Sequence, residues 1–583
     1  MTFLGRRDTI RFGQFELDLS GYELRREGRP VRLERQPMDL LILLVSRPRE
    51  LVSRPEIVER LWGNGVFVDV ETGVNTAVRK IRRALRDAPR APTFIQTVSG
   101  KGYRFVADVT VIGERGNAAP VTMLVVVPFV NLTGDAEREY LADGFTEDTI
   151  ASLSQLDPDH LCVIGRTSAM VYKGARKSIA AIGRELNVQF LVEGSVRSVG
   201  GVLQIRCTLN RTSDQVQLWS GSYETEVAAL ASVQRDLTSA IAEQIRLRLS
   251  PERQELALRR HTRHAAAYDL YLRGRRFWNQ LTPATTRVAI DYYSRATEID
   301  ADYALAWAGL AEAFAGAPIN GDAEPLAMWP RAREAARHAV RANASLSEAQ
   351  HVSGQVKWFF EWDFRGADAC FRKAVALDPS NAWAHSMFGH ALSQLGRHEE
   401  ARSVMDQART LDPLSPLHHA MSSQVAFQAR DMVAAASHAR RAIAIDPDLW
   451  VGYMMHGQAC EQVGETDLSL DSLASAVRLS GGNSKPVALR GYVLAGLGRI
   501  DAANEVLAAL QDASSKRYVP PYAMALVFAG LQQSDFVFDW LERALAARDV
   551  HLVFLPVDPK WDRYRAEPRF KSFLQRCGLT GPQ

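Results

Sequence analysis

The side chains best suited to chemistry lie near the N-terminus, in the segment Glu71–Arg86. At the helical spacing of about 100° per residue, Val74, Val78, Ile81 and Leu85 form one apolar stripe. The opposite face is polar at its start and cationic further on, with Thr72, Asn75, Thr76, Arg79, Lys80, Arg82, Arg83 and Arg86. Hydroxyl and amide groups suit base edges, and a band of cations suits phosphates. The pattern predicts a helix that reads the major groove of duplex DNA.

The charge of the chain is unevenly distributed. Residues 1–107 carry 20 Lys and Arg against 13 Asp and Glu, a net charge of +7, whereas the whole chain carries +3. A basic segment joined to a mildly acidic body indicates a polyanionic partner. A solvated arginine-rich surface is the alternative interpretation. Like charges at this density destabilise a helix that has no anionic partner, which favours the nucleic-acid interpretation.

The elements around this helix must position it. Alternation with a period of two over Arg11–Leu17 and Tyr22–Arg26 predicts small antiparallel strands. Helical patterns follow over Gln36–Ser46 and Arg54–Trp62. After the helix, two strand-like runs flank a Gly-rich tip at residues 99–102 and predict a β-hairpin. Its side chains predicted to contact DNA are Lys101, Tyr103 and Arg104.

Four motifs occur in the order found in OmpR/PhoB-type winged-helix domains, which the ToxR and CadC-like regulators also use. They are Leu51–Ile57, Val58–Gly63, Val74–Leu85 and Thr97–Phe105. The segment resembles this family, an effector domain of the phosphorelay type. The resemblance implies that the Glu71–Arg86 helix enters a major groove while the hairpin approaches an adjacent minor groove. Residues 1–108 are therefore expected to form a winged-helix DNA-binding domain.

Three further expectations come with the resemblance. The loop Trp62–Val70 is expected to contact RNA polymerase. Family members often place Arg before the first wing glycine, where this chain has Ser99, so Lys101 is expected to supply the charge. The winged helix begins within the first dozen residues and leaves no room for a receiver domain, so control by aspartyl phosphorylation within this chain is not expected.

A second domain is predicted over residues 122–250, after a linker over 109–121 that contains Gly113, Gly116 and Pro120. Strand and helix patterns alternate there, which indicates an α/β layer. The predicted strands are Met123–Phe129, Leu161–Ile164, Phe190–Val196 and Leu203–Asn210, and the predicted helices are Glu139–Leu156, Ile179–Leu186 and Val227–Leu249. Motifs such as Val127–Asp135 and Val192–Val196 resemble the TolB N-terminal-like module, which implies a fold but no settled chemistry.

The acidic residues of this domain could do chemistry. Asp143, Glu147 and Asp148 could bind Mg²⁺, which prefers oxygen ligands. First-turn carboxylates stabilised by a helix dipole are the interpretation we favour. The sequence contains no G-x-x-x-x-G-K-[ST], G-x-S-x-G or H-E-x-x-H motif. We therefore predict no enzyme, no metal and no cofactor.

The C-terminal half repeats with a fixed period. Asp378-Pro379, Asp412-Pro413 and Asp446-Pro447 are separated by 34 residues, the period of tetratricopeptide (TPR) repeats. A small-residue position follows the same period at Ala367, Ala401, Ala435, Ser469 and Ala503. Residues 260–583 are therefore predicted to form an all-α TPR solenoid of about seven helix pairs with a C-terminal cap. The fold class is multidomain α+β.

TPR arrays mainly bind partners, so the inner positions of each first helix are candidates for a protein or peptide site. These positions hold Phe359, Trp383, His390, Gln424, Phe427, Met454, Gln458 and Tyr492. Packing between repeats is the alternative role for these residues.

The sequence as a whole predicts a DNA-binding transcriptional regulator controlled through its α/β and TPR regions. The absence of an apolar run near 20 residues predicts no membrane span, and five scattered cysteines fit a reducing cytoplasm. Homo-oligomers on DNA are a further expectation. Two alternatives stay open: a TPR scaffold whose winged helix contacts protein, and a nucleotide- or metal-binding sensor in residues 122–250.

Overall fold

A computed structural model describes the following residues: 9–18, 23–26, 29–45, 47–49, 51–62, 70–88, 92–98, 100–112, 121–158, 160–199, 202–226, 229–245, 262 and 264–579. The chain divides into two compact units, Met1–Ala119 and Pro120–Gln583. Within the described ranges, no helix is long and apolar enough to cross a bilayer.

The first unit is built from two small sheets and three helices. Its elements are β1 (Thr9–Phe12), β2 (Phe15–Asp18), β3 (Glu23–Arg26), β4 (Arg29–Val31), α1 (Arg35–Val45), β5 (Leu51–Ser53), α2 (Arg54–Trp62), α3 (Val70–Leu85), β6 (Ile95–Val98), β7 (Gly102–Phe105) and β8 (Thr110–Ile112). The antiparallel five-stranded sheet has the order β4-β3-β2-β1-β8, and the hairpin strands form a second sheet in the order β5-β7-β6.

The predicted linker over 109–121 is wrong at its start. Thr110–Ile112 pairs antiparallel with Thr9–Arg11 and adds an edge strand to the first sheet. Three consecutive β-branched residues favour this pairing, because their branched side chains suit a pleated surface. The rest of the predicted linker, residues 113–120, lies outside the described part of the chain.

The core of the first unit confirms the predicted apolar stripe of α3. Val74, Val78, Ile81 and Leu85 are all buried, so the polar positions of α3 are left on its outer side. Aromatic side chains complete the core, with the rings of Phe12 and Phe105 in edge contact at 5.2 Å between centroids. Apolar residues of α3 and of both sheets therefore share one hydrophobic core.

The second unit begins with the predicted α/β layer. Its elements are β9 (Thr122–Val126), β10 (Val130–Asn131), α4 (Glu139–Leu156), β11 (Leu161–Val163), α5 (Arg166–Met170), α6 (Ile179–Leu186), β12 (Phe190–Val199), β13 (Val202–Arg211), β14 (Gln217–Thr225) and α7 (Leu230–Gln244). The sheet order is β11-β9-β12-β13-β14, with β10 on β12. β9 runs parallel to β11 and β12, and β12, β13 and β14 form an antiparallel meander.

Antiparallel helix pairs follow. Their helices are α8 (Ala265–Trp278), α9 (Pro283–Ile299), α10 (Ala304–Asn320), α11 (Pro325–Ala342), α12 (Ser347–Val356), α13 (Phe364–Leu377), α14 (Ala382–Gln394), α15 (His398–Leu411), α16 (Pro416–Gln428), α17 (Met432–Ile445), α18 (Trp450–Gln462), α19 (Thr466–Leu479), α20 (Ser484–Gly496), α21 (Ile500–Ser514), α22 (Pro521–Gly530), α23 (Ser534–Ala546) and α24 (Pro568–Arg576). Two 3₁₀ segments, Val550–Phe554 and Pro559–Tyr564, precede α24.

The small residues that recur with the 34-residue period pack in the interior of the solenoid, as predicted. The small residues at 367, 401, 435, 469 and 503 are each fully buried. Each second helix therefore packs closely against its neighbours at this position, where a larger side chain would meet backbone or core atoms.

The structure corrects the prediction that the acidic residues of α4 are first-turn carboxylates. Asp143, Glu147 and Asp148 are not first-turn carboxylates, because α4 begins at Glu139. Glu147 and Asp148 are buried against α8, where Arg275 pairs with both. The hydroxyl of Tyr268 also donates to Asp148. These acids join the α/β layer to the first TPR helix.

A second contact joins the α/β layer to the middle of the solenoid. Asp412, one of the Asp-Pro punctuation residues, accepts from the backbone N–H of Ser168 at 2.7 Å. The Ser168 hydroxyl in turn accepts from the N–H of Leu414 at 2.7 Å. The N–H of Gly165 donates to the carbonyl of Leu411 at 2.6 Å. The start of α5 is therefore capped by a repeat loop.

Candidate nucleic-acid interface

The outer face of α3 carries two exposed arginines. The side chains of Arg79 and Arg83 are exposed, one turn apart. Among the described residues neither arginine pairs with a carboxylate, whereas Lys80 contacts Glu34 at 2.6 Å. Asn75 is exposed and Thr76 half-buried on the preceding turns. A shallow groove of 480 Å³ runs beside this face, lined by Asn75, Val78, Arg79, Arg82, Arg83, Arg86, Asp87 and Tyr103.

A three-residue polar cluster joins α3 to the hairpin. The Tyr103 hydroxyl donates to Oδ1 of Asn75 at 2.8 Å. Arg54, the first residue of α2, donates to the same oxygen at 3.2 Å. Its guanidinium also lies 5.5 Å from the centroid of the Tyr103 ring. Because Tyr103 is almost fully buried, it holds Asn75 in place and is not itself an exposed contact.

Arg82 has a different place from the one predicted. Its side chain is only 14% exposed, and its Nη2 donates to the Ile95 carbonyl at 2.7 Å and to Oγ1 of Thr97 at 3.0 Å. The guanidinium is thus bound to β6, although the side chain still lines the groove beside the exposed arginines. The structure gives Arg82 the role of tying α3 to the hairpin.

The sequence interpretation missed Asp87, which follows the end of α3. Its buried carboxylate accepts from the backbone N–H groups of Thr93 at 2.7 Å, Phe94 at 3.2 Å and Ile95 at 2.8 Å. It therefore connects α3 to the start of the hairpin. An acid just after a helix followed by a short loop is the only sequence signal, and it does not reveal these three donors.

Replacing Asp87 by Asn is expected to loosen the hairpin. The amide keeps one acceptor oxygen but presents an N–H₂ group to backbone donors, which costs about 2 kcal/mol, or ~30-fold in local opening. Hydrogen exchange of peptides covering residues 85–98 in the full chain measures it. The matched control is Asp108→Asn, because the Asp108 side chain is 90% exposed in its pair with Arg49. Equal exchange in both variants would contradict the anchoring role.

The tip of the hairpin presents Lys101, which is exposed. Gly102 follows it, and a Cβ there would meet the Val52 carbonyl oxygen at 2.1 Å, so close pairing of β5 and β7 requires glycine. Arg104 is half-buried on β7, and its Nη1 donates to Oε1 of Gln96 at 3.4 Å. Lys101 is thus the hairpin cation that projects furthest from the core.

Two predictions fall wholly or partly outside the described residues. Thr72 lies within α3, but its side chain is not described. Most of the loop predicted to contact RNA polymerase, residues 63–69, is also outside the described part of the chain. Both stay predictions.

The predicted TPR groove is a cavity, which we call the solenoid cavity. It has a volume of 240 Å³ and lies among the first helices of the pairs and the C-terminal 3₁₀ segment. Six predicted residues line it: Phe359, Trp383, His390, Gln424, Met454 and Gln458. Phe427 is fully buried beside Lys560, whose Nζ lies 4.7 Å from its ring centroid. Tyr492 lies outside the cavity lining and packs with the C-terminal core.

The cavity is closed partly by the chain itself. Val550, His551 and Phe554 of the 3₁₀ segment contribute to its wall, as do Asp558 and Lys560. The ring of His390 lies 5.4 Å from that of Phe554, and burial lowers the pKa of His390 to about 4. The C-terminal segment therefore forms part of the cavity wall.

Comparison with protein families decides the nature of the first unit. Residues 28–105 match the family described as "Transcriptional regulatory protein, C terminal". Residues 28–105 form an OmpR/PhoB-type winged helix. Residues 363–425 match the tetratricopeptide repeat family. The winged helix thus consists of α1, α2 and α3 with the β6–β7 hairpin as its wing.

Two curated relatives are similar to longer stretches of the chain than the family models cover. "Putative adenylate cyclase 3" of Rhizobium meliloti (strain 1021) is 34% identical over 187 residues, which is 32% of this chain and 32% of that protein. "Transcriptional regulator HilA" of Salmonella typhimurium is 22% identical over 410 residues, 69% of this chain and 70% of that one. The chain therefore spans about a third of the length of the cyclase relative.

Two DNA-binding domains of known structure are similar to a small part of this chain. The DNA-binding domain of Klebsiella pneumoniae RstA in complex with the RstA box is 29% identical, with a TM-score of 0.16, and covers 17% of this chain and 96% of that one. The DNA-binding domain of E. coli CadC is 26% identical, with a TM-score of 0.16, and covers 18% of this chain and 95% of that one.

Proposed function

We propose that this chain is a sequence-specific, DNA-binding transcriptional regulator. The observation that carries the proposal is the outer face of α3, where Arg79 and Arg83 are exposed beside Asn75 and Thr76 and have no carboxylate partner in the described part of the chain. An exposed cationic helix face next to a wing suits a groove lined by phosphates. The family match over residues 28–105 and the 22% identity to a transcriptional regulator over 410 residues support it.

The contacts divide into reading and positioning roles. We assign base readout to Thr72, Asn75, Thr76 and Arg79, and phosphate contact to Lys80, Arg83 and Lys101. Because Oδ1 of Asn75 already accepts from Tyr103 and Arg54, its Nδ2 group is the one to donate to a base, such as the N7 acceptor of a purine. Arg82, Tyr103 and Arg104 support this face from within the domain.

We assign control of DNA binding to the α/β layer and the TPR solenoid. The buried ion pairs between α4 and α8 join the α/β layer to the solenoid, so both respond together to a bound partner. We propose that protein partners bind the second helices, where Val433, Leu468 and Phe536 are exposed. The same proposal includes a cytoplasmic location, multimers on DNA and contact of the loop Trp62–Val70 with RNA polymerase. It also includes the absence of catalysis in residues 122–250.

Affinity for DNA is expected to fall steeply with salt. Each phosphate contact contributes about −0.9 to the slope of log K against log salt, because bound cations release counterions. Arg83→Ala is therefore expected to make the slope less negative by about 1. Fluorescence anisotropy with a duplex selected from a random pool by the full chain measures both slopes. Identical slopes for the native chain and the variant would remove the phosphate role of Arg83.

A further inference from the structure

One end of the solenoid cavity combines a carboxylate with aromatic walls. Glu312 of α10 lines this end together with Trp278, Phe359 and Trp383. The indole N–H of Trp383 donates to Oε1 of Glu312 at 2.6 Å. Of the Glu312 side chain 21% is accessible, and the residue faces the cavity. The carboxylate is thus presented to the enclosed space.

Glu312 pairs with no Lys or Arg among the described residues. The imidazole Nε2 of His351 lies 3.8 Å from it, but burial lowers the pKa of His351 to about 4, so this ring is neutral at pH 7. Burial also raises the pKa of Glu312 to about 7. A carboxylate in such a place is costly to ionise unless a cation arrives.

A second acceptor faces the same space. Gln355, one turn before Phe359, lines the cavity and is only 3% exposed. Its buried Oε1 has no hydrogen-bond partner among the residues that the structure describes, while its Nε2 lies 3.1 Å from Nε2 of His351. A buried amide oxygen without a donor is rare in folded proteins. A ligand N–H group at Glu312 would satisfy this oxygen once the Gln355 side chain turns it towards the cavity.

A basic side chain lines another part of the wall. Lys485 of α20 lines the cavity, and its Nζ donates to the carbonyl of Ile319. Ile319 follows Glu312 by seven residues on α10, which is two helical turns or ~10 Å. A second cationic group on a ligand would therefore be repelled, whereas a hydrogen-bond acceptor there would be favoured.

We propose that the solenoid cavity binds a small organic monocation, with its ammonium group at Glu312 and Gln355 and its body against Trp278, Phe359 and Trp383. Aromatic faces beside an acid suit such cations. The volume of 240 Å³ exceeds the ~150 Å³ that holds benzene in an apolar cavity, so a ring with a short aminoalkyl chain fits. An extended peptide does not fit while Phe554 forms part of the wall.

The proposal is tested with phenethylamine, tryptamine and benzyltrimethylammonium, each against an uncharged isostere such as 2-phenylethanol or tryptophol. Calorimetry of the full chain at pH 8 is expected to show saturable binding of at least one amine, at least tenfold tighter than its isostere. Glu312→Gln is expected to lose at least tenfold of that affinity. The matched control Glu298→Gln changes an exposed glutamate of α9 and is expected to bind as the native chain does.

Proton release provides a second readout. Among the described residues, the titratable groups around Glu312 are Glu348 and His351 on α12, Arg275 on α8 and Tyr293 on α9, and Trp383 on α14 donates to it. Near pH 7 an arriving ammonium is expected to displace a fraction of a proton from Glu312, because the pKa of Glu312 is raised, and calorimetry in buffers of different ionisation enthalpy measures this release. Glu312→Gln should fold normally, because its amide still accepts from Trp383 and carries no buried charge.

Three results would overturn the proposal: equal affinity for every amine and its isostere, no loss in Glu312→Gln, or binding of an extended peptide in place of the amines. None of these measurements involves DNA. Failure of the cavity assignment is therefore distinguishable from failure of the proposed regulatory function.

Discussion

Replacing Arg79 and Arg83 together by alanine is expected to abolish retention of the specific duplex, with affinity reduced ~100-fold or more. The two side chains lie one turn apart on the outer face of α3 and, in the described part of the chain, pair with no carboxylate. A lost arginine contact to a base costs about 1–3 kcal/mol, and each 1.4 kcal/mol is tenfold. Loss of the Arg79 contact to a base supplies most of the expected factor, and loss of the Arg83 contact to a phosphate supplies the rest.

The measurement is an anisotropy titration with a duplex selected by the native chain. The control is the double variant Arg295→Ala and Arg337→Ala, which removes the same charge from exposed positions on α9 and α11. It is expected to bind within threefold of the native chain. If both double variants weaken binding equally, net charge and not the α3 face controls the affinity.

The second large effect is expected from Arg275→Ala, which should reduce the free energy of unfolding of the second unit by about 3–5 kcal/mol. Arg275 pairs with Glu147 and Asp148, whose side chains are 3% and 0% exposed. Removing the guanidinium leaves two carboxylates buried together between α4 and α8. Arg166 and Asn279 still contact Glu147, which keeps the loss within that range.

Urea denaturation followed by far-UV circular dichroism measures the loss. Arg295→Ala is the matched control, because its pair with Asp291 is exposed and such pairs contribute about 0–1 kcal/mol. Arg275→Lys, which keeps the charge without the two-pronged geometry, is expected to fall between them. A loss in Arg275→Ala no greater than in the control would mean that α4 and α8 are held by apolar packing alone.

The sequence predicted those features that a local period controls. The apolar stripe of α3 follows from helical spacing, and the buried small residues follow from the 34-residue repeat. Neither pattern depends on the position of the rest of the chain, because each specifies only which side of its own helix is buried. The wing was predictable for a similar reason, since two strand-like runs joined by a short glycine-containing segment favour a β-hairpin.

The details of the candidate interface depend on distant neighbours and were not predictable. Arg82 and Arg83 are adjacent in sequence, yet among the described residues Arg82 alone of the two bonds to the hairpin, at the Ile95 carbonyl. Asp87 was missed because its three donors come from a loop whose path the sequence does not show. From the sequence alone, Glu147 and Asp148 were interpreted as acids at a helix start. In the structure they pair with Arg275, which lies more than 100 residues later in the chain.

The central claim is that the outer face of α3 contacts duplex DNA. Photo-crosslinking of the full chain to its selected duplex tests this most directly, with p-benzoylphenylalanine placed at position 76 on α3 and, as a control, at position 433, where the native Val is 79% exposed on the solenoid. Light is expected to attach DNA to the chain from position 76 and not from position 433. Crosslinks from position 433 alone would mean that DNA binds a different surface.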